Sequence, residues 1–522
     1  MAYSTTRSTF FCPAGTKWYW EFVPTTNYNY ASCGITTNSA AWDVNPGGTT
    51  DGHGVGFYDV EIDIDGTRTT PSGPASTAWA SGDIIGFAYD VDANTIKKYI
   101  NGSLDYTYSS VPVSTDGPYS PTFGDFGGSV AATINVNFGQ DSSFGGLKTA
   151  QGNQDGNSIG DFYYEPPSGF LALCTSNLSA PEIALPTDHF NTVLYTGNSQ
   201  SAQSITGVGF EPDLVWIKRR NYAGGNNVLF DQVRGVNKEL QANSNATEGT
   251  RTGSLNSFDT DGWSTSTDNG TNVNYGTYNY VNWNWKGDNV AGGTLNEDGS
   301  IDSYVNVNTT AGFSIVKYTS PGSDSDETIG HGLSQAPEMV IAKNRTSAYN
   351  WDVWTPALSS GYDLKINDNA AQASGRWSTT IPTASLVTLL DTYEVAGTDD
   401  YIAYCFHSVE GYSKVGSYEG NGDADGAFVY TGFRPAFLLL KSIDDSAHWE
   451  MEDDKRDTYN LSHKSLQANL NYAEDTSTSR NGLDFVSNGF KFRSNSSNIM
   501  NGSETYIYLA FAESPFKYSN AR

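Results

Sequence analysis

One short stretch occurs three times in this chain. In each copy a proline is followed six residues later by a lysine, with apolar residues between them. The prolines are Pro212, Pro337 and Pro435, and the lysines are Lys218, Lys343 and Lys441. Proline cannot donate to a sheet ladder, and a continuous apolar run is typical of a strand buried on both faces. Each copy therefore predicts a turn, a buried strand and a charge where the strand ends.

Three further markers recur in the same order around these strands. They are a tyrosine before a glycine-rich turn (Tyr195, Tyr318, Tyr418), the words Leu-Gln-Ala-Asn at 240–243 and 466–469 with Leu-Lys-Ile-Asn at 364–367, and an aromatic strand at 280–285, 401–406 and 506–511. The period near one hundred residues is too long for a solenoid, whose repeats are about 20–50 residues long. We expect a triplicated domain in which each copy has its own core.

The composition indicates an all-β protein. Gly (54), Tyr (32) and Phe (25) are abundant in the 522 residues, and many short runs alternate with Gly, Asn and Asp turns. Few stretches keep the apolar period of an amphipathic helix. The predicted fold is a series of antiparallel β-sandwiches of the concanavalin or jelly-roll kind.

The charge of the chain argues against two classes of partner. A formal net charge of −29 opposes binding to nucleic acid and to anionic membranes, because both are negatively charged. The N-terminus lacks the apolar region of a signal peptide, and no stretch approaches 18 apolar residues. We therefore expect neither ordinary export nor membrane insertion. The four cysteines are too scattered for a disulfide scaffold or a zinc cluster.

The N-terminal part contains a recognisable set of strands and turns. Residues 82–90 and 95–102 predict two strands joined at Asp-Ala-Asn, and the second ends in an Asn-Gly turn. Aromatic segments follow at 118–124 and 134–139. In this order the elements over residues 15–145 resemble a SPRY domain. That resemblance implies a two-sheet antiparallel sandwich whose loops bind peptides or other ligands without catalysis, and it identifies no ligand residue here.

One strand of this part is acidic on a single face. Side chains alternate along a strand, so Asp59, Glu61, Asp63 and Asp65 share one face and the intervening Val and Ile residues share the other. The simplest interpretation is a solvated sheet face. The alternative is a site for Ca²⁺ on these four carboxylates, because aligned like charges repel unless they are exposed or neutralised.

Two tryptophans are the candidates for ligand contact. Trp263 and Trp377 are flanked by Ser and Thr, which favours exposure and stacking against a sugar, whereas Trp283 alternates with Asn and is expected on a core face. The segment 421–426 has the Asp-x-Asp-Gly pattern of a calcium loop but lacks the downstream Glu of an EF-hand, so a hairpin turn is predicted. No other cofactor is expected.

The sequence contains no catalytic signature in a credible context. The six histidines lack metal-site spacing, and no nucleophile elbow, phosphate-binding loop or dinucleotide fingerprint occurs. No carboxylate is marked out by an apolar setting, as a glycosidase acid would be. We predict that the protein is not an enzyme.

A second resemblance covers residues 190–522. The segments 188–198, 411–418, 429–435 and 510–522 are similar to a poorly characterised family of tailed-phage virion proteins, common in phages of aquatic bacteria and often preceded by a SPRY-like module. The resemblance implies a virion structural protein, made in the host cytoplasm, that acts in a tail fibre or surface appendage. Its expected partners are other virion proteins and a host-surface glycan or protein. A capsid decoration protein and a polysaccharide depolymerase are the alternatives.

The expected domain organisation follows from the repeats. It comprises a SPRY-like sandwich at 1–160, a Pro-rich connector at 161–186 whose aromatic residues dock on a neighbouring domain, and repeats A (187–288), B (289–411) and C (412–522). No heptad or collagen-like stretch specifies a trimer, so the oligomeric state, including a homo-oligomer, stays open.

Overall fold

The structure is a computed structural model, and it divides the chain into two compact units. They are Met1–Ser179 and Ala180–Arg522. The residues described are 5–37, 53–58, 60–69, 78–113, 118–125, 132–198, 201–266, 272–322, 325–390, 397–477, 482–495 and 500–519. In this part of the chain the regular elements are 39 strands and three 3-10 helices, Tyr28–Tyr30, Thr175–Asn177 and Pro186–Asp188. The predicted all-β fold class is confirmed.

The first unit contains twelve strands. They are β1 (Thr5–Arg7), β2 (Lys17–Thr26), β3 (Ala31–Thr36), β4 (Gly54–Tyr58), β5 (Glu61–Ile64), β6 (Thr67–Thr69), β7 (Ile85–Asp90), β8 (Thr95–Ile100), β9 (Ser103–Tyr108), β10 (Ser120–Asp125), β11 (Thr133–Asn137) and β12 (Phe170–Ala172).

These strands form two sheets around an aromatic core. One sheet has the order β1-β10-β3-β4-β5-β6 and the other β11-β2-β7-β8-β9, with β12 added parallel to β2. Phe22 and Phe87 stack in the core at 6.1 Å. The predicted hairpins are present: β7 and β8 pair antiparallel, and Asn101 with Gly102 takes positive φ before β9.

The expected connector is folded rather than extended. Its residues up to Ser179 belong to the first unit, where Phe162 is buried beside Tyr19 at 5.2 Å between ring centroids. The buried carboxylate of Glu21 accepts the backbone N–H groups of Tyr163 and Tyr164, both at 2.9 Å. A buried carboxylate requires such donors. Docking of the aromatic residues thus extends the first sandwich, and the unit boundary falls at 179/180.

The second unit contains the three repeats. Repeat A has β13 (Phe190–Thr196), β14 (Gln203–Thr206), β15 (Leu214–Arg219), β16 (Val228–Asp231), β17 (Lys238–Gln241), β18 (Gly249–Thr250), β19 (Ser257–Asp259), β20 (Gly262–Thr265) and β21 (Asn279–Trp285). Repeat B has β22 (Thr294–Asn296), β23 (Ser303–Asn308), β24 (Phe313–Thr319), β25 (Glu327–Gly330), β26 (Met339–Asn344), β27 (Trp351–Trp354), β28 (Tyr362–Lys365), β29 (Ala373–Ser374), β30 (Leu386–Leu389) and β31 (Asp400–Phe406). Repeat C has β32 (Ser413–Glu419), β33 (Phe428–Tyr430), β34 (Phe433–Ser442), β35 (Glu450–Asp453), β36 (Leu466–Gln467), β37 (Leu483–Val486), β38 (Gly489–Phe492) and β39 (Thr505–Pro515).

Each repeat has one large antiparallel sheet with the same strand order. The order is β13-β21-β15-β16-β17-β18 in repeat A, β24-β31-β26-β27-β28-β29 in repeat B and β32-β39-β34-β35-β36 in repeat C. The predicted proline-led strands β15, β26 and β34 are fully buried in all three copies. The recurrent tyrosine pairs with the aromatic strand as closely stacked rings, for example Tyr195 on Tyr280 at 5.0 Å.

The two faces of each large sheet have different neighbours. In repeat A, Val215 and Ile217 pack against a small sheet formed by β14, β19 and β20. Leu214 and Trp216, which alternate with them, point to the opposite face. Repeats B and C have the same arrangement, with small sheets β25-β30 and β33-β38-β37. Each copy therefore has the core of its own that the sequence led us to expect.

A second core, which we did not predict, joins the three copies. The inner faces of all three large sheets meet in one hydrophobic cluster, in which Trp285 of repeat A, Phe406 of repeat B and Phe511 of repeat C come together. The repeats are consequently parts of one compact unit rather than separately closed domains. The physical reason is that every large sheet is apolar on both faces, and only one of them is covered within its own copy.

The three lysines lie where this central core ends. Their side chains follow the inward-facing positions of the proline-led strands and are buried, at 0% or 1% exposure. Lys218 Nζ donates to the carbonyl oxygens of Gly225 and of Leu470, both at 2.9 Å. Burial lowers the pKa of Lys218 to about 7, and that of Lys343 and Lys441 to about 8. The lysine predicted at the end of each strand is present, but its side chain is buried.

The Leu-Gln-Ala-Asn word fixes the contact between neighbouring copies. Its asparagine accepts a backbone N–H from the start of the preceding strand, as Asn367 Oδ1 does from Trp351 at 2.8 Å. Its carbonyl groups receive donors from the adjacent copy. Trp351 of repeat B donates to Gln241 O of repeat A at 2.9 Å, and Trp449 of repeat C donates to Lys365 O of repeat B at 2.9 Å.

The same contact between repeats C and A closes the cycle. Asn227 occupies the position of the two tryptophans, and its Nδ2 lies within 3.0 Å of the carbonyl oxygens of Gln467 and Ala468 and 2.8 Å from that of Leu470. Repeat B therefore contacts A, C contacts B, and A contacts C through equivalent positions. The unit is a pseudo-threefold cycle formed by one chain.

Two of the three interfaces also carry a buried ion pair. Arg234 Nε lies 2.5 Å from Asp231 Oδ2, and the hydroxyl of Tyr404 from repeat B donates to the same carboxylate at 2.8 Å. The interface of C with A repeats this arrangement, with Arg456 on Asp453 at 2.5 Å and Trp283 donating to Asp453 at 3.1 Å. Between B and C the equivalent residues are Thr355, Leu358 and Leu509, which carry no charge.

Candidate functional site

The structure buries both tryptophans that were expected to contact a ligand. Trp263 is fully buried in the outer core of repeat A, and its Nε1 donates to Asn282 Oδ1 at 3.3 Å. Trp377 is 3% exposed and stacks on Trp354 at 6.0 Å. The expectation of exposure was wrong, because polar neighbours in sequence do not decide which way a ring points: Thr265 and Ser378 near the two rings are themselves only 3% exposed. Neither ring is placed to stack on a sugar.

The acidic strand of the first unit is neutralised by basic side chains. Arg68 lies 3.8 Å from Glu61 and 3.7 Å from Asp63, and its guanidinium packs over the Tyr58 ring. Burial raises the pKa of Asp63, against the opposing charge of Arg68. Asp65 leaves the strand at φ 46° and accepts from His53 Nδ1 at 2.9 Å. Asp59 lies outside the described residues.

The metal hypothesis finds no ligand cluster in the described residues. No group of three or more His, Cys, Asp or Glu side chains there is arranged to hold a metal ion. The segment 421–426 is a turn between β32 and β33, and its Asp425 pairs with Lys491 at 2.9 Å. The described part of the chain also has no helix with the length and apolar character needed to cross a bilayer.

Two carboxylates that the sequence did not mark out share a buried position. Asp352 and Asp363 lie on the outer face of adjacent strands β27 and β28, and both are less than a tenth exposed. Burial, followed by the neighbouring charge of Asp363, raises the pKa of Asp352 to about 8. Arg376 lies 3.8 Å from Asp352, and Lys365 lies 3.4 Å from Asp363. Both carboxylates are enclosed within repeat B, and this position indicates a structural role.

The internal repeats themselves indicate where to look for a functional site. The features that all three copies share are the ones that the fold requires. A feature present in one copy alone is not required by the fold and therefore indicates another role. Repeat B differs from A and C by the hairpin β22–β23, which extends its large sheet beyond β24. Asn306 of this hairpin donates to Asp213 of repeat A at 2.6 Å, and Asp213 also accepts from Gly287 N–H at 2.6 Å.

An open cleft of about 680 Å³ lies between this hairpin and repeat A. From repeat A it is lined by Val233 and Arg234, and from repeat B by Ser300, Ile301, Asp302, Tyr304, Lys317, Tyr318, Thr319, Arg345 and Asp400. The volume lies in the range of small-molecule sites, about 300–1,000 Å³. We call this site the hairpin cleft. Most of its lining is polar, so it suits a hydrophilic ligand.

Lys317 and Tyr304 form the centre of the hairpin cleft. They are cross-strand partners on β24 and β23, and Lys317 Nζ lies 5.0 Å from the centroid of the Tyr304 ring. Tyr304 is 44% exposed. Burial lowers the pKa of Lys317, and the charge of Arg345 adds to that effect, while Asp231, Asp400 and Glu248 oppose it. The hydrogen bonds of Nζ reach only the carbonyl oxygens of Val233 and Gly292, both at 3.4 Å.

One wall of the cleft is held rigid by an ion pair between repeats. Arg345 of repeat B donates to both carboxylate oxygens of Glu248 in repeat A, at 2.9 and 3.0 Å. Burial raises the pKa of Glu248, but Arg345 and Arg234 outweigh it and hold the pKa below its ordinary value. Beside this wall, Arg345 N–H donates to Asp400 O at 2.7 Å, and the hydroxyl of Thr319 donates to the Asp400 carboxylate at 2.7 Å. These contacts preorganise the lining around Lys317.

Comparison with solved structures finds SPRY domains. The chain is similar to a human SPRY domain (18% identity, 26% of this chain and 84% of that one, TM-score 0.21) and to the SPRY domain of human HERC1 (16%, 26% and 82%, TM-score 0.22). It is also similar to the TRIM65 PSpry domain (14%, 25% and 69%, TM-score 0.20). The two-sheet architecture of the first unit is established by its own strand pairing. No curated protein matches the chain.

A family model matches most of the second unit. The match covers residues 185–515, from the 3-10 helix before β13 to the end of β39. It spans all three repeats, in agreement with their common core. The matched residues make up more than half of the chain. The protein therefore belongs to the family defined by the domain of unknown function DUF7483.

Proposed function

We propose that this protein is a non-enzymatic binding protein of a phage virion, a component of a tail fibre or similar surface appendage, and that the hairpin cleft contacts a glycan on the host surface. The observation that supports this most is a departure from the threefold arrangement: among the described residues the hairpin occurs in repeat B and not in A or C, where it lies over an interface and leaves a polar cleft beside an exposed tyrosine. Polar side chains around an exposed ring suit a sugar, whose hydroxyls need partners and whose C–H face packs on aromatic rings.

The cyclic unit is suited to a load-bearing position. Its three sheets share one core, and the interfaces are closed by backbone, ionic and indole hydrogen bonds. Such a unit presents Tyr304 and Lys317 of the cleft on paired strands, and side chains on rigid elements are held more accurately. The sequence resemblance to tailed-phage proteins supplies the virion setting.

A non-enzymatic role agrees with where the carboxylates lie. Asp352 and Asp363, whose pKa values are raised, are enclosed in repeat B and do not line the cleft. The carboxylates that do line it are Asp302 and Asp400, and the latter is engaged by Thr319. The lining thus favours binding over hydrolysis.

Competition with phage adsorption tests this function. Purified full-length protein is added to host cells before particles of the phage that encodes it, and we expect adsorption to fall with dose. Tyr304→Ala should weaken this inhibition, whereas Tyr459→Ala, which removes a tyrosine 74% exposed on repeat C, should not. Protein that neither adheres to cells nor competes would refute the proposal.

Labelling of intact particles tests the location. Gold-labelled antibodies against the purified chain should mark the tail or its appendages. Labelling of the capsid shell would instead favour a decoration protein, and release of reducing sugar from host envelopes would favour a depolymerase.

A further inference from the structure

We infer that the hairpin cleft selects a saccharide that carries a carboxylate, that is, a hexuronic acid unit of a surface polysaccharide, with Lys317 as the residue that pairs with the acid group. This inference rests on the proposed function and specifies its ligand.

The three cations that line the cleft are not equally satisfied. Arg234 is engaged by Asp231, and Arg345 is engaged by Glu248 through two hydrogen bonds. Lys317 forms no ion pair with a carboxylate of the described residues, and its two carbonyl contacts are long, at 3.4 Å each. Lys317 is half-buried, and an ammonium group that has only such long contacts gains from a negatively charged ligand.

The position of Lys317 is specific to the repeat that carries the cleft. Strands β13, β24 and β32 are equivalent, and the residue in register with Lys317 is Leu194 in repeat A and Ser417 in repeat C. The fold therefore does not require a cation there. A lysine and the hairpin that covers it occur together in one copy only, which is the pattern expected of a site rather than of a structural residue.

The lining beyond Lys317 favours a sugar over an acidic peptide. The hydroxyl groups of Ser300 and Thr319 donate to Glu327 at 2.6 Å and to Asp400 at 2.7 Å. Asp302 and the second carboxylate oxygen of Asp400 offer acceptors for the hydroxyls of a ligand. Tyr304 holds the Lys317 ammonium against its ring and exposes part of its surface in the same cleft. A uronic acid presents a carboxylate, several hydroxyls and a C–H face on one small ring, which matches all three features. An acidic peptide side chain presents no hydroxyl groups beside its carboxylate.

Isothermal titration of the full-length protein with matched ligands tests the inference. The probes are trisaccharides of glucuronate, galacturonate and mannuronate, each paired with its carboxyl-reduced, neutral counterpart. We expect at least one uronate trisaccharide to bind about tenfold or more tightly than its neutral counterpart. The affinity should fall as NaCl is raised, because the pairing is electrostatic.

Variants assign the effect to the cleft. Lys317→Gln should remove the preference for the acid, and Lys317→Arg should retain most of it. Lys414→Gln, on the equivalent strand β32 of repeat C, is the matched control and should bind as the unchanged protein does. Circular dichroism and unfolding midpoints show whether each variant is folded.

The outcomes separate this inference from the proposed function. If acid and neutral sugars bind equally, or if Lys317→Gln keeps the preference, the carboxylate inference is overturned while glycan binding stands. If no uronate binds although the protein still competes with phage adsorption, the inference also fails and the receptor is of another chemistry, an acidic peptide included. Loss of competition itself would refute the proposed function.

Discussion

The ammonium group of Lys218 in repeat A donates to the carbonyl oxygen of Leu470 in repeat C, 252 residues later in the chain, at 2.9 Å. Lys343 of repeat B makes the corresponding contact with Asn245 O of repeat A at 3.3 Å. Lys441 of repeat C stays within its own copy, on the carbonyl groups of Ser442 and Asp445. The recurrent lysine therefore joins neighbouring copies in repeats A and B, whereas in repeat C it binds a local turn.

The buried lysines predict that stability rises with pH. The pKa of Lys218 is about 7 in the folded protein and near 10.5 when it is unfolded, so between these values the unfolded state binds the extra proton. Its contribution to stability is therefore present above pH 10.5 and is lost as pH falls through 7. We expect urea titrations to show that raising the pH from 6 to 9.5 increases the free energy of unfolding of the unchanged protein. The increase should exceed that of Lys218→Met by on the order of 3 kcal/mol. Lys414→Met is the control, and equal pH dependence of both variants and the unchanged protein would contradict the prediction.

The buried ion pair at the interface of A and B predicts a costly single change and a cheaper combined one. Arg234→Leu leaves the carboxylate of Asp231 buried without its cation, and we expect a loss of about 3–5 kcal/mol. The variant that also carries Asp231→Thr and Tyr404→Leu copies the uncharged interface of B with C and should recover most of this loss. Chemical unfolding of both variants decides the point. A triple variant no more stable than the single one would show that the interfaces are not interchangeable.

The shared core predicts which fragments fold. Residues 180–522 cover both faces of every large sheet, whereas residues 187–288 alone would expose Trp216, Trp283 and their neighbours on the inner face. We expect the longer fragment to unfold in a cooperative transition and the single repeat to aggregate or remain unfolded. A stable, monomeric 187–288 fragment with dispersed NMR signals would overturn this view of the repeats.

The asparagine of the repeated Leu-Gln-Ala-Asn word predicts a local loss of stability. Asn367 Oδ1 accepts the Trp351 backbone N–H at 2.8 Å, and its Nδ2 donates to Asn350 at 2.9 Å. Asn367→Ala leaves both partners unsatisfied and should cost about 1–3 kcal/mol. The exposed Asn369 nearby provides the control, since Asn369→Ala should change the unfolding midpoint little.

The burial of Trp263 predicts that its removal affects stability and not recognition. Trp263→Ala creates a large cavity in the outer core of repeat A and should cost about 3–5 kcal/mol. Under conditions where the variant is folded, its affinity for the host surface should equal that of the unchanged protein. A selective loss of affinity with normal stability would restore Trp263 as a contact residue.

The sequence predicted the parts of the fold that depend on local periodicity. The strands after Pro212 and Pro337, the β7–β8 hairpin and the tyrosine before each glycine-rich turn appear where the pattern placed them. In repeat C the strand begins at Phe433, and Pro435 lies inside it at an irregularity of the ladder rather than in a preceding turn. The central core was not predictable, because an apolar run buried on both faces, such as 214–217, does not say whether its second neighbour lies in the same copy or in another. Closure of a threefold cycle is a long-range relationship.

The candidate site was missed for a related reason. Trp263 and Trp377 were chosen by their polar neighbours in sequence, but both rings are buried: Trp263 lies on the core face of β20, and Trp377 stacks on Trp354 from a bend after β29. Tyr304 and Lys317 are thirteen residues apart and become neighbours only when β23 pairs with β24. A signal was nevertheless present: repeat B is longer than repeat A, and the additional residues before Phe313 contain Tyr304.

Because one polypeptide contains all three copies, a substitution or insertion can occur in one copy and leave the other two unchanged. In a trimer of identical subunits every substitution appears three times, so a hairpin that covers one interface would cover all of them and bind three ligands. In the part of the chain that the structure describes, the hairpin β22–β23 occurs once. For the site that we propose, we therefore expect a single ligand per polypeptide, so that avidity would depend on how many chains are displayed together.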